Sequence, residues 1–435
     1  MSCLPSPQRR NSYITLPIMQ ILFTHTNFPG QFGPFGAWLA ERGWDVLFAT
    51  GREDAQPPAR CRMFHFPCGQ AAAETHRHAH GLDRALRTAE AFAIVAKRVR
   101  ERGIVPDVVV AHGGWGAGTY AKAVWPETCF VTYAEWWYRH PRADVHPAEP
   151  PPRDPVAERA RALAANAPML LDLAQADLIL CPTTFQATQF PAWLRARLLV
   201  DPDGVDTDLF APDPTARGRL ATYGVPADAE VVTYATRGME PYRGFPEFLR
   251  ALALLQQSRP CLHAVIAGRD RVVYGAALPP GESWKQRMLA ELELDATRTH
   301  FVDLLPLPAY ADLLRASDLH VYLTLPFVLS WSMLEAMSIG CPLVASDVAP
   351  VHEAVGTSGA AELVDHHDVE ALAATIARGL DDRPAALARG ARARARILEA
   401  YDRAWLWPAR ADRLRRWAEM RRAASGAPQD ATAPD

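Results

Sequence analysis

Short apolar runs alternate with segments of helical periodicity along most of the chain. In the first unit, the apolar residues 18–24 are followed by a Gly/Pro-rich loop, a helix that places Trp38 and Leu39 on one face, and a second apolar run, WDVLFAT. A parallel sheet covered by helices on both faces produces this alternation. The alternation begins again at residues 230–236, EVVTYAT. The sequence therefore predicts an α/β protein with two doubly wound parallel sheets.

The segment between the two series, DPDGVDTDLFAPDPTARGR, is rich in Asp, Pro and Gly, which is the composition of a linker. Pro408 is expected to break the last helical stretch, because proline is incompatible with a helix interior. Met1 and Met19 both remain possible start residues. We predict six parts: a disordered leader (1–18), an N-terminal domain (19–202), a linker (203–217), a C-terminal domain (218–395), C-terminal helices that pack back across the domains (396–422) and a disordered tail (423–435).

Composition and charge exclude several classes of protein. The chain has 435 residues and a net charge of −3, which argues against a nucleic-acid-binding protein. Its seven cysteines are scattered without a C-x-x-C pair, which argues against a disulfide framework or a zinc knot and favours the cytoplasm. Since no run of 18 apolar residues occurs, no membrane-spanning helix is predicted.

One segment, residues 383–422, is strongly charged, with 12 arginines against four acidic residues. One interpretation is a solvated helical face whose apolar stripe packs inward. The alternative is peripheral contact with anionic lipid headgroups at the inner face of the membrane.

Two arginines follow the strand that opens the second series, in TYATRGMEPYRGF. Arg237 and Arg243 lie on the loop between this strand and the next helix. Guanidinium groups bind phosphate oxygens bidentately, and Gly238 and Gly244 allow the backbone to come close. The loop predicts a diphosphate site. The alternative is a pair of solvated arginines in an arginine-rich chain.

The run PFVLSWSMLEAMSIGCPLVAS holds a second candidate for anion binding. Ser330 is a candidate N-cap for a helix that starts with Trp331 and Ser332, and a helix N-terminus offers free N–H groups to an anion. Glu335 lies among apolar residues of this helix and needs a partner, for which ribose hydroxyls are suitable. The alternative for Glu335 is a carboxylate that caps neighbouring backbone N–H groups.

Three strand ends of the first series add further candidates. His112 ends the strand in PDVVVAHGGWG and is either a functional group at the cleft or a structural histidine. Gly30 and Gln31 follow the first strand, where backbone N–H groups could donate to a phosphate or to an acceptor. The alternative is that the glycine is there only because the turn requires it. The aromatic end of CFVTYAEWWY offers an acceptor platform or packs between the domains, and it comprises Glu135, Trp136, Trp137 and Tyr138.

Taken in order, these segments resemble a known family. SMLEAMSIGCPLVASDVAPVHEAV resembles the donor-site signature of family 4 of the retaining glycosyltransferases (glycosyl transferases group 1). DPDGVDTDLFAPD is similar to the family's interdomain segment, which usually has Asn at the position of Asp203. RGMEPYRGF is similar to its Arg/Lys loop, and PGQFGPFGAWLAERGWDV to its N-terminal unit. The resemblance implies the GT-B fold, with two facing Rossmann-like domains, the first for the acceptor and the second for the donor, and a C-terminal helical segment.

The resemblance implies transfer of a sugar from a UDP- or GDP-sugar to the hydroxyl of an acceptor, with retention of the anomeric configuration. The acceptor is a glycan, a lipid-linked molecule or a small molecule. Polysaccharide, glycolipid or glycoconjugate biosynthesis is the implied setting. No cofactor or metal is expected, because the arginines replace the usual Mg²⁺. Catalytic roles fall to His112, Arg237 and Arg243. Donor binding falls to Gly30, Gln31, Arg237, Arg243, Ser330, Trp331, Ser332 and Glu335.

Two departures from the family pattern stand out. Phe327 lies eight positions before Glu335, where the family commonly has a sugar-contacting glutamate. Arg243 replaces the usual Lys and lies six residues after Arg237 instead of five. Two rival functions remain open: a nucleotide-sugar 2-epimerase and a non-catalytic nucleotide-sugar-binding protein.

Overall fold

Seven parallel strands form the first of two sheets in the computed structural model, which describes residues 18–145, 154–275 and 278–426. The strands are β1 (Gln20–His25), β2 (Asp45–Thr50), β3 (Arg62–His65), β4 (Val108–His112), β5 (Cys129–Tyr133), β6 (Leu178–Cys181) and β7 (Leu198–Val200). Their spatial order is β3-β2-β1-β4-β5-β6-β7. The helices of this half are α1 (Gly33–Glu41), α2 (His80–Glu101), α3 (Ala121–Val124), α4 (Pro155–Ala165), α5 (Ala167–Gln175), α6 (Thr184–Gln189) and α7 (Ala192–Arg195).

Six parallel strands form the second sheet. They are β8 (Glu230–Ala235), β9 (Leu262–Ala267), β10 (Thr299–Val302), β11 (Leu319–Tyr322), β12 (Leu343–Ser346) and β13 (Glu362–Val364). Their spatial order is β10-β9-β8-β11-β12-β13. The helices are α8 (Phe245–Ser258), α9 (Trp284–Glu291), α10 (Leu307–Ala316), α11 (Trp331–Ile339), α12 (Ala349–Val355) and α13 (Val369–Asp381). This half also contains two 3-10 helices, at Pro214–Tyr223 and Pro241–Arg243.

The central strands are buried on both faces, as their continuous apolar sequences predict. Every residue of β4 and of β5 is buried. Separate hydrophobic clusters cover the two faces of each sheet. The prediction of an α/β protein with two doubly wound parallel sheets is confirmed.

The C-terminal helices differ from the prediction in where they start, break and end. They are α14 (Arg383–Ala400), which crosses the predicted boundary at 395/396, and α15 (Arg403–Gly426), which runs past 422. Pro408 lies inside α15, so the predicted break at this residue is wrong. The chain breaks instead at Tyr401 and Asp402, because the Val205 N–H donates to the Tyr401 carbonyl at 2.8 Å. The Asp402 carboxylate then accepts from the Ala404 N–H at 2.8 Å and starts the next helix.

Helix α15 returns to the N-terminal sheet, where Leu406, Trp407 and Leu414 join the hydrophobic cluster that includes Phe35. Most arginines of residues 383–422 are held by carboxylates or main-chain oxygens, namely Arg383, Arg389, Arg392, Arg394, Arg396, Arg403, Arg410, Arg413, Arg421 and Arg422. This arrangement favours the inward-packed helical face over lipid contact, which stays a prediction.

The domain boundaries at 202/203 and 217/218 stay predictions as well. Residues 1–17 of the predicted leader (1–18) and residues 427–435 of the predicted tail (423–435) lie outside the described residues, whereas residues 423–426 belong to α15. Among the helices of the described residues, none is both long enough and apolar enough to cross a membrane.

Candidate active site

A cavity of about 50 Å³ lies between the two sheets, at the carboxyl ends of their strands. Loops that follow β1, β5 and β6 line it from the N-terminal side, and the loop between β11 and α11 lines it from the C-terminal side. Its lining comprises Gln31, Tyr133, Glu135, Pro182, Thr183, Gln186, Pro202, Asp203, Val328, Leu329, Trp331, Leu334 and Tyr401. Segments far apart in the sequence therefore meet at one cleft, as the topology of two facing parallel sheets requires.

Arg243 is buried beneath the loop that follows β8. Its Nη1 donates to the Thr324 Oγ1 at 2.6 Å and to the Tyr322 hydroxyl at 3.2 Å, and its Nη2 donates to the Val328 carbonyl at 3.5 Å. The same Tyr322 oxygen accepts from the Ser330 N–H at 3.1 Å. One hydroxyl thus joins the Arg243 guanidinium to the start of α11, so the cation and the helix N-terminus converge.

Arg237 is exposed and, like Arg243, lies beside the Tyr274 ring. Its guanidinium donates to the Tyr274 hydroxyl and lies 5.6 Å from the ring centroid, while that of Arg243 lies 5.2 Å from it. Within the described ranges neither guanidinium forms an ion pair with a carboxylate. A buried cation without an opposite charge is costly. The pair therefore provides a ready site for an anion such as a diphosphate.

Gly244 has a required role in shaping this loop. Its φ is +67°, and a Cβ at this position would lie 2.4 Å from the Leu323 Cβ. Glu240 holds the opposite side, because its Oε2 accepts from the N–H groups of Val273 and Tyr274. The loop is thus fixed before any ligand binds.

Glu335 lies in the second turn of α11, partly buried. Its carboxylate forms no hydrogen bond or ion pair with any residue that the structure describes, so the capping alternative is not observed. Burial raises the pKa of Glu335 to about 7. Ser330 caps the helix, since its Oγ accepts from the Ser332 N–H at 3.4 Å. A ligand hydroxyl would supply the donor that Glu335 lacks.

His112 and Glu135 form the N-terminal wall of the cleft. The His112 Nε2 lies 3.5 Å from the Glu135 Oε2, and the Gln31 Nε2 donates to the Glu135 Oε1 at 2.8 Å. Burial raises the pKa of Glu135, but His112, Arg237 and Gln31 lower it more, so that it lies below its usual value. Glu135 is therefore ionised at neutral pH and orients the His112 imidazole.

His25 packs against His112 with ring centroids 4.6 Å apart. Burial, with a smaller effect of the His112 charge, lowers the pKa of His25 to about 2. Its Nδ1 accepts from the Asn27 N–H at 2.8 Å, which leaves the proton on Nε2. His25 is therefore a neutral packing partner that fixes the position of His112.

Gly30 is predicted to be essential for this arrangement, because its φ is +52° and a Cβ would lie 2.7 Å from the His25 Cδ2. Gly30→Ala is expected to displace His25 and His112 and to lower turnover about tenfold, from roughly 1–2 kcal/mol of local strain. The matched control is Gly43→Ala, where φ is +84° but the Cβ meets nothing within 4 Å. Both variants lose stability in urea; equal turnover in the two would contradict the role of Gly30.

The aromatic residues after β5 divide between packing and the cleft. Trp137 packs in the hydrophobic core against Phe190, with ring centroids 5.6 Å apart. Trp136 packs across the cleft against Phe327 at 4.6 Å. Tyr138 is half exposed. For Trp136 and Trp137 the packing alternative therefore describes the structure.

Phe327, at the position where the family commonly has a glutamate, belongs to an aromatic cluster between the domains. Besides Trp136, it contacts Tyr242 at 5.2 Å and Tyr274 at 5.4 Å between ring centroids. The side chain that would contact the sugar by hydrogen bonding is thus replaced by an apolar wall beside the arginines.

Sequence reasoning missed two carboxylates that join the domains. The Asp203 Oδ2 accepts from the Tyr133 hydroxyl and from the Trp331 Nε1, both at 3.0 Å. Glu353, on α12, accepts from the N–H groups of Thr184 and Phe185, both at 2.7 Å. Asp203 and Glu353 both lie in segments on which the family resemblance rests, but neither segment indicates a contact with the other domain.

Two Rossmann-like parallel sheets that share a cleft at the carboxyl ends of their strands define a protein of the GT-B class. Residues 42–210 match the family described as "Glycosyl transferase family 4 group", and residues 229–382 match "Glycosyl transferases group 1". The two regions together span well over half of the chain. The chain belongs to family 4 of the glycosyltransferases, as its motifs predict.

The curated relatives match over part of their length. A D-inositol 3-phosphate glycosyltransferase of Thermobispora bispora is 32% identical over 226 residues, which are 50% of this chain and 51% of the relative. A GDP-mannose-dependent alpha-(1-6)-phosphatidylinositol monomannoside mannosyltransferase of Mycolicibacterium smegmatis is 32% identical over 226 residues, 49% of this chain and 54% of the relative. The chain thus spans about half the length of the curated relatives it matches.

Solved structures match almost the whole chain. Sucrose-phosphate synthase of Thermosynechococcus elongatus has a TM-score of 0.67 at 19% identity. The match covers 92% of this chain and 100% of the synthase chain. HepE of Anabaena, in complex with UDP-glucose, has a TM-score of 0.66 at 18% identity, with 92% and 100% covered. At these identities the similarity shows the GT-B fold.

Proposed function

We propose that this glycosyltransferase transfers a hexose-type sugar from a UDP- or GDP-sugar to an acceptor hydroxyl, with retention of the anomeric configuration and without a metal ion at the diphosphate. The proposal rests on the guanidinium groups of Arg237 and Arg243, which both lie beside the Tyr274 ring and have no carboxylate partner in the described chain. This pair supplies the positive charge that a diphosphate needs.

The reaction breaks the bond between the anomeric carbon and the phosphate oxygen, and negative charge develops on the departing diphosphate. Arg243 is fixed by Tyr322 and Thr324 before the donor arrives. Preorganised donors of this kind stabilise the transition state more than the ground state, because the charge that they bind appears only as the bond breaks. The two guanidinium groups are therefore proposed to do what Mg²⁺ does in other transferases.

The acceptor hydroxyl is proposed to enter from the N-terminal side, beside His112 and Glu135. It attacks the anomeric carbon on the face from which the diphosphate leaves, and its proton goes to the leaving phosphate oxygen. No protein carboxylate forms a bond to the sugar in this scheme. His112, oriented by the ionised Glu135, holds the sugar and the acceptor in line.

The cleft must open before the donor binds, because pockets for small molecules usually measure about 300–1,000 Å³, several times the volume of the cavity. The contacts that separate on opening are those between Trp136 and Phe327 and those of Glu353 with α6. Domain opening and closing is thus proposed to be part of each catalytic cycle.

The names of the relatives suggest which acceptors to test first. One is described as acting on D-inositol 3-phosphate and another on a phosphatidylinositol mannoside. We propose glycan, lipid-linked and small polyol acceptors as the range, with phosphorylated cyclitols as the first to be tried. The proposed setting is polysaccharide, glycolipid or glycoconjugate synthesis in the cytoplasm.

A thermal-shift panel of UDP-, GDP- and ADP-sugars tests the donor class. The true donor at 100 times its dissociation constant stabilises the protein by about 2.7 kcal/mol, and other nucleotides stabilise it much less. Product analysis by NMR, with Mn²⁺ or with a chelator, then identifies the reaction. A retained anomer on the acceptor supports the transferase, a 2-epimerised donor without acceptor supports the epimerase, and binding without turnover supports the sensor.

The pKa of Glu335, raised to about 7 by burial, makes donor affinity depend on pH. Ribose hydroxyls donate to the ionised carboxylate, whose population rises from about a tenth at pH 6 to about nine tenths at pH 8. The donor Kd, measured by calorimetry, is therefore expected to fall up to about ninefold over this range. In Glu335→Gln the donor Kd is expected to be higher than in the wild type and independent of pH. In the exposed control Glu291→Gln, the donor Kd is expected to depend on pH as it does in the wild type. A Glu335→Gln profile that parallels the wild type would assign Glu335 a structural role.

A further inference from the structure

A second cluster of chemically active side chains lies inside the C-terminal domain, outside the transfer site. Glu247 is in the first turn of α8, and His366 and His367 lie in the loop after β13, following Asp365. One ligand atom of each residue lies within 4.8 Å of the other two. The parallel sheet brings these elements together because α8 and the β13–α13 loop both lie at the carboxyl ends of the strands.

The three side chains have the chemistry and the spacing of a metal site. The His366 Nε2 lies 3.9 Å from the Glu247 Oε2, which is longer than a hydrogen bond. An ion at about 2.1 Å from each atom, the usual distance for zinc, fits between the two. Glu247 and His366 are 6% and 3% exposed, so these two ligands would be shielded from bulk solvent.

The surroundings of His366 match those of a metal-bound histidine. Its Nδ1 lies 3.4 Å from the Ser346 Oγ, which leaves Nε2 to face Glu247. A hydrogen bond at the second ring nitrogen is the normal way in which proteins orient an imidazole ligand. Ser346 also accepts from the Thr324 N–H at 2.8 Å, and Thr324 in turn accepts from Arg243. The cluster is thus separated from the diphosphate site by two residues.

We propose that Glu247, His366 and His367 bind one divalent transition-metal ion, with Zn²⁺ as the expected species. Imidazole and carboxylate ligands suit this ion, and a three-residue set leaves a fourth position for water. The ion ties α8 to the β13–α13 loop, so its role is structural. It does not replace the two arginines at the diphosphate.

Cobalt titration of the chelator-stripped full chain tests the site. Co²⁺ is expected to bind with 1:1 stoichiometry, to give visible d–d absorption and to be displaced by Zn²⁺. Saturating Zn²⁺ is expected to raise the Tm by roughly 5 °C. A strong near-ultraviolet band of Co²⁺–thiolate charge transfer would instead place the ion on an exposed cysteine such as Cys68 or Cys261, and would overturn the proposal.

Single-residue variants locate the ion within the chain. Glu247→Gln and His366→Asn are expected to abolish the d–d spectrum, and the exposed control His65→Asn to retain it. His367→Asn, at a partly exposed position, serves if the buried variants do not fold. Wild-type protein that binds no Co²⁺, or an unchanged spectrum in folded His367→Asn, would overturn the site. The donor thermal shift is a separate readout, so failure here leaves the proposed transferase function untouched.

Discussion

Arg243→Ala is expected to lower kcat by about 30- to 1,000-fold, which corresponds to about 2–4 kcal/mol of lost transition-state stabilisation. The buried guanidinium is held by Thr324 and Tyr322 at the start of α11, where the proposed mechanism places the charge that develops on the leaving diphosphate. Steady-state kinetics with saturating donor measure the effect. The control is Arg250→Ala, whose exposed side chain pairs with Glu291 at 3.0 Å on the outer face.

Arg237→Ala tests the effect of losing a positive charge apart from the effect of losing stability. Arg243 supports the fold through several hydrogen bonds, whereas Arg237 is exposed and contacts the Tyr274 hydroxyl. Loss of turnover in Arg237→Ala with an unchanged Tm is therefore expected to show the electrostatic effect alone. Wild-type turnover in either variant would contradict the assignment of the diphosphate site.

His112→Asn is expected to lower kcat about 100-fold, because the sugar and the acceptor are no longer held in line, and to change the donor Kd much less. The imidazole is almost fully buried and lies 3.5 Å from the ionised Glu135 at the lip of the cleft. Kinetics and calorimetry on one preparation separate the two effects. His352→Asn, an exposed histidine of the other domain, is the control.

An effect of His112→Asn on stability alone would contradict this role of His112. If His112→Asn keeps the wild-type kcat but loses thermal stability, the residue is a buried structural histidine packed between His25 and Tyr133. That outcome would return His112 to the structural alternative that the sequence left open.

The central strands could be predicted from sequence because burial on both faces leaves a continuous apolar run, as in VVVAH of β4. The short edge strands could not: β3 has two exposed residues out of four, and β7 has only three residues. Pro408 misled the prediction of the C-terminal helices, because the pairing of Val205 with Asp402 ends α14 at a position that local propensity does not mark.

The candidate site could be predicted as far as each sheet alone determines it. Arg237, Arg243 and Ser330 follow neighbouring strands of one parallel sheet, so their carboxyl ends bring these residues together. The contacts of Glu353 with α6 and of Phe327 with Trp136 depend on how the two domains face each other. No periodicity within a single segment encodes that relation.

The most direct test of the central claim is a crystal structure with the nucleoside diphosphate that the thermal-shift panel selects. We expect the diphosphate oxygens within hydrogen-bond distance of both Arg237 and Arg243 and of the first N–H groups of α11. A diphosphate bound elsewhere, with both guanidinium groups facing only protein and water, would contradict the account.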